Sequence, residues 1–198
     1  RTARLLPRNG RSLVGCTIMT TTFDACRISS ASLDPTSAPP TLVWETIDVS
    51  DGFTVRYPAW PGDAAELLLG ALRGAGARLA EVPAQDLVDC VGRVADRFLD
   101  SSDPLRQEAI DLLVPTAGIS KEMASEILTG MARDWTAERL TELLRRELRD
   151  PGVLDGFRRV DEGRSVRAKG PLLTFHVGAG TVPGVGVTSM IRALLMKS

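Results

Sequence analysis

The 198-residue chain is 43% hydrophobic and 25% charged, with 24 basic against 25 acidic residues for a net charge of -1 at pH 7. It has enough material for one large or two small globular domains, and its near-neutral balance supplies no field for nucleic acid or anionic lipid. No apolar run approaches the roughly 20 residues that span a bilayer, and the first residues lack the apolar core of a signal peptide, so a cytoplasmic protein without a membrane span is expected.

Residues 1–40 mix Arg, Ser, Thr and Pro without sustained periodicity and are expected to be poorly ordered. Because the chain opens on Arg1 rather than Met and stops inside a motif, it is read as a fragment or partial reading frame. A second region, 41–150, begins with the partly alternating run Leu42 to Val49, the turn pair Asp51-Gly52, and a second alternating run, Phe53 to Tyr57. That pattern predicts a β-hairpin.

From Gly62 the apolar period becomes helical, and Ala64 to Leu72 forms a dense stretch expected to end at Gly74 and Gly76. Pro83 then precedes Ala84, Leu87, Val88, Val91, Val94, Ala95 and Phe98, whose three- and four-residue spacing predicts an amphipathic helix. Asp103-Pro104 caps a short helix to about Val114, closed by Pro115 and Gly118. Ser120 caps another from Lys121 to about Met131. Beyond Trp135, read as a core anchor, Thr136 caps a third, with Leu140, Leu143, Leu144 and Leu148 on one face and Glu142 pairing with Arg146.

The third region, 151–198, starts as a Pro- and Gly-rich connector made basic by Arg158, Arg159, Arg164, Arg167 and Lys169. Such a connector beside a glycine loop could meet the phosphates of a nucleotide or of coenzyme A. A β-branched and aromatic run, Leu172 to Val177, then enters a loop containing Gly178, Gly180, Gly184 and Gly186, and a helical pattern leaves it from about Thr188. Strand, glycine loop and helix together are how many nucleotide sites begin.

The usual phosphate fingerprints do not fit. In G-x-G-x-x-G register the third glycine falls on Pro183, and Lys197-Ser198 lies a helix too far on for a P-loop. No G-x-S-x-G occurs. A single His and no paired-Cys spacing leave no zinc site, so no metal is expected. Cys16, Cys26 and Cys90 are read as free thiols.

The run FHVGAGTVPGVGVTSMIRALLMKS resembles a segment of the long-chain acyl-CoA reductases of bacterial bioluminescence operons, which read approximately H-I-x-x-G-N-V-P-G before a helix ending L-L-x-K-S. The matching positions are His176, Gly180, Val182, Pro183, Gly184, Leu194, Leu195, Lys197 and Ser198. The resemblance implies an α/β, aldehyde-dehydrogenase-like fold, here a mostly helical region with a β-hairpin and the first strand-loop-helix of a dinucleotide-binding domain.

It further implies NADPH-dependent reduction of a fatty acyl-CoA to an aldehyde through an acyl-cysteine intermediate. By analogy, the assembled state is a homo-oligomer or a multienzyme reductase complex. The implied cofactor-binding residues are Val177, Gly178, Ala179, Gly180 and Pro183. The family's oxyanion asparagine falls on Thr181, a shorter donor. The nucleophilic cysteine belongs further downstream than Cys16, Cys26 or Cys90, so a chain ending here should not catalyse alone. The superfamily's ribose-contacting lysine is also expected beyond Lys197. The competing reading is a non-catalytic helical interaction module whose glycine loop is only a turn.

Overall fold

A computed structural model describes residues 21–25, 43–50, 52–59, 62–178 and 184–198. Three strands, β1 (Thr21–Asp24), β2 (Val43–Ser50) and β3 (Phe53–Ala59), precede five helices: α1 (Gly62–Glu81), α2 (Ala84–Leu99), α3 (Pro104–Ala117), α4 (Lys121–Asp134) and α5 (Ala137–Leu148). A 3₁₀ turn (Pro151–Leu154), a small hairpin of β4 (Arg158–Asp161) and β5 (Arg164–Val166), and a final helix α6 (Val185–Leu195) follow. The architecture is a mixture of helix and sheet. Among the described residues, no helix is long and apolar enough to cross a membrane.

The expected hairpin is present, with β2 antiparallel to β3 and Gly52 at φ 81° in the turn. Thr21–Asp24, inside the segment expected to be poorly ordered, adds a parallel strand on the other edge of β3. A bidentate contact from Arg56 to Asp24, at 2.7 and 2.8 Å, ties β1 to β3, and the same guanidinium lies 4.8 Å over the Trp44 ring. A long-range ion pair of this kind leaves no periodic trace in β1 itself.

The α2 helix is the axis of the core. Its Leu87, Val88, Val91 and Ala95 pack with Trp135, Leu140, Leu144, Leu154 and Leu195, all buried. Val94, counted on this stripe from sequence, instead stands 41% exposed. Gly92 is where α2 meets α5, since a Cβ there would lie 2.8 Å from that of Ala137. Trp135 sits at the junction of α4 and α5, edge-on to Phe98 with ring centroids 6.3 Å apart.

A second cluster, Ile110, Ala124 and Leu128, joins α3 to α4. Beside it the buried Arg106 guanidinium donates to the Phe98 carbonyl, to Ser125 Oγ at 2.7 Å and to Thr129 Oγ1 at 3.0 Å. These acceptors satisfy a desolvated cation without a carboxylate.

Local signals place most helix starts. The side chains of Asp103, Ser120 and Thr136 accept from the backbone N–H groups of Leu105, Met123 and Arg139, as cap geometry requires. Arg146 meets Glu142 at 2.7 Å.

Four expectations require correction. The α1 helix does not end at Gly74 and Gly76 but continues to Glu81, because Leu79 beyond them packs on the main core and outweighs the roughly 1 kcal/mol each glycine costs. Pro115 does not close α3. It lies in the last turn, and the stop is Gly118 in the left-handed region at φ 63°.

The basic connector contains the β4–β5 hairpin, whose strand residues are all exposed and therefore lack the one-sided apolar alternation that marks a strand. Finally, Leu172 to Val177 is not a strand. Among the described residues no backbone hydrogen bond pairs 171–178 with another segment, and strand geometry needs a neighbour to hold it.

Truncating a residue that links the last helix to the core should be costly. Leu195→Ala is expected to lower unfolding stability by about 2–5 kcal/mol in urea titrations, whereas Val94→Ala should change it by about 0.5 kcal/mol or less.

Candidate functional site

The site is built around the chain between Gly170 and Ser198, and the geometry of its two flanks is defined. On the entering side, Thr174 Oγ1 hydrogen-bonds Ser198 Oγ, and His176 Nδ1 lies 3.0 Å from Ser189 Oγ. The intervening side chains face outward: Leu172, Phe175 and Val177 are 89%, 88% and 84% exposed. Polar residues thus hold this extended apolar segment against α6.

On the leaving side, Gly184 is the N-cap of α6 with φ 93°. The positive φ requires glycine, and a Cβ here would also make the flexible Met131 thioether shift. One turn on, Thr188 Oγ1 accepts from the Trp135 indole N–H at 3.4 Å, and Leu195 closes the helix into the core at 1% exposure.

Gly178 presents the opposite case, since a Cβ there would meet nothing within 4 Å. The protein's own packing therefore does not demand glycine at that position. Of the sequence-predicted cofactor residues, Val177 and Gly178 are exposed, while Ala179, Gly180 and Pro183, with the candidate oxyanion donor Thr181, lie outside the described residues. Cys16 and Cys26 are also outside them, and Cys90 is an exposed free thiol on α2.

The end of α6 carries a polar latch that no local pattern announces. Lys197, at φ 59° and with its side chain only 7% exposed, places Nζ 2.7 Å from Asp155 Oδ1 and 3.3 Å from the Ala80 carbonyl. Asp155 Oδ1 also accepts from the Ala84 backbone N–H at 2.9 Å, where a carboxylate complements the first turn of α2. One ion pair thereby joins the ends of α1 and α6, the start of α2 and the 3₁₀ turn. Burial pushes the Asp155 carboxyl up, but Lys197 and the Ala84 N–H together hold it below the ordinary carboxylate value.

Two adjoining depressions lie near this latch. One of about 670 Å³ runs along α6 between α1 and the 172–176 segment, with Leu72, Leu79, Val187, Met190 and Leu194 in its walls. The other, about 280 Å³, opens at the far end of α6.

The described residues thus form a helical core on which α6 and the 171–178 segment are docked. The chain matches the acyl-CoA reductase (LuxC) family over residues 79–198, from the last turn of α1 through the whole of α6, and it belongs to that family. It matches no curated protein and no solved structure.

Two outcomes follow from this geometry. Gly184→Ala should destabilise the fold by about 1–3 kcal/mol through backbone strain and the Met131 collision, while Gly178→Ala should leave thermal unfolding unchanged. The latch should also titrate. Because Asp155 has a folded pKa below its unfolded value of about 4, its contribution is whole above that value and is lost as pH falls through the lower folded one. Asp155→Asn should therefore flatten the acid limb of stability against pH in denaturant titrations between about pH 5 and 2.

Proposed function

We propose that the chain serves the reduction of a fatty acyl-CoA thioester to an aldehyde by NADPH through an acyl-cysteine intermediate, with the glycine loop between cofactor and thioester. The observation that carries this reading is the acyl-CoA reductase family match, which covers the loop and both elements that anchor it. NADPH, when bound, supplies the hydride.

The open space at Gly178 fits an approaching group, in contrast to the space at Gly184 that Met131 fills. Val177, Gly178, Ala179, Gly180 and Pro183 would line the cofactor, with backbone and small side chains permitting close approach. Thr181 would donate to the oxyanion that develops when thiolate attacks the thioester. A fixed donor at that point stabilises charge present only in the transition state. The nucleophile is assigned to none of Cys16, Cys26 and Cys90. The fold reading that accompanies this chemistry is aldehyde-dehydrogenase-like, with residues 151–198 opening the dinucleotide-binding domain, and the location is cytoplasmic.

The test is steady-state reduction of an acyl-CoA by the active reductase that carries this sequence. Thr181→Asn is expected to preserve or raise kcat/KM, and Thr181→Val to lower it by on the order of a hundredfold, the usual effect of losing one oxyanion donor. Equal values for all three would remove Thr181 from the chemistry.

A further inference from the structure

The smaller depression has a composition that neither the core nor the glycine loop explains. Its floor is apolar, with Ala77, Leu154 and Met196, while Arg73, Arg167 and Lys169 stand at its rim and no acidic side chain lines it. All three cations are exposed, and none makes a hydrogen bond or ion pair with another described residue. Lys197 reaches the same wall, but Asp155 already neutralises it. Three uncompensated cations over an apolar floor suit an aromatic or sugar body that carries several phosphates.

The depression adjoins the trough along α6 at Gly76 and Leu172, which line both. That trough follows α6 from Val187 to Ser198. The 11 residues of α6 span about 16 Å between its C-terminal end and Gly184. The pantetheine arm of coenzyme A has about 13 bonds between sulfur and the first phosphorus, which at roughly 3.5 Å per three extended bonds gives about 15 Å. A phosphate end held at the rim would therefore let the thioester reach the loop.

We infer that Arg73, Arg167 and Lys169 bind the phosphoadenosine diphosphate end of the acyl-CoA substrate, and that the trough along α6 takes its pantetheine arm. This rests on the acyl-CoA reductase reading. NADPH carries a related phosphoadenosine group, so the test separates the two sources.

Isothermal titration of the active reductase that carries this sequence with CoA, dephospho-CoA, NADPH and inorganic phosphate would be compared between wild type, Arg73→Gln and the Arg167→Gln/Lys169→Gln double variant. Circular dichroism would check the fold of each variant. The expected result is CoA affinity reduced roughly tenfold or more in the double variant and severalfold in Arg73→Gln. Dephospho-CoA should bind wild type more weakly than CoA, and that difference should vanish in the double variant, while NADPH affinity stays unchanged. CoA binding that survives both variants would overturn the rim assignment and leave the reductase reading standing. NADPH losing as much affinity as CoA, or inorganic phosphate binding as tightly as CoA, would also overturn it. No CoA binding by wild type would remove both readings together.

Discussion

The buried stripe of α2 is the constraint on which the rest of the structure depends. Val88 and Ala95 are 1% and 0% exposed, and helices on every side are fitted to this surface. Close packing of small against large residues makes the helix a rigid reference. The Gly92–Ala137 approach, the Trp135–Phe98 edge contact and the insertion of Leu195 are three separate seats on it. The α6 helix inherits its position from the third of these, because it sits where Leu195 finds the core.

Anchoring both flanks divides the glycines of the terminal segment by role. Gly184 serves the fold, since Met131 occupies the space a side chain would need. Gly178 faces open space, which a bound group could use. The same division holds for the charges. Lys197 is consumed by Asp155 in joining four elements, whereas the rim cations around the smaller depression have no partner among the described residues. The residues that anchor α6 and the exposed rim cations are thus separate sets.

Much of the architecture was legible because its signals are local. The hairpin followed from alternation around Asp51-Gly52, and the starts of α3, α4 and α5 followed from single capping residues. What escaped depends on partners distant in sequence. Asp155 looks like one more acid in a charged connector until Lys197 and the Ala84 N–H are brought to it. Arg106 reads as a surface residue until Ser125 and Thr129 accept from it. The run Leu172 to Val177 has strand composition but no neighbouring strand among the described residues, and composition cannot supply one. Terminal motif residues such as His176, Gly184, Lys197 and Ser198 were visible as a pattern, but that all four anchor α6 or its approach emerged only from their contacts.

The Lys197 to Ala80 contact also bears on how the molecule assembles. These groups are 117 residues apart, whereas the α3–α4 and α4–α5 packings connect helices adjacent in the chain. Closing so long a loop carries an entropic cost that neighbouring helices avoid, so the helical hairpins are set to form early and the terminal unit to dock onto a prepared surface. An element that docks last, through Leu195, Ile191, Leu194 and Met196 and the Lys197–Asp155 pair, is also the natural first to detach. Residues 171–178 and α6 therefore belong to the layer of the fold where local opening is cheapest and a bound ligand has the greatest leverage over structure.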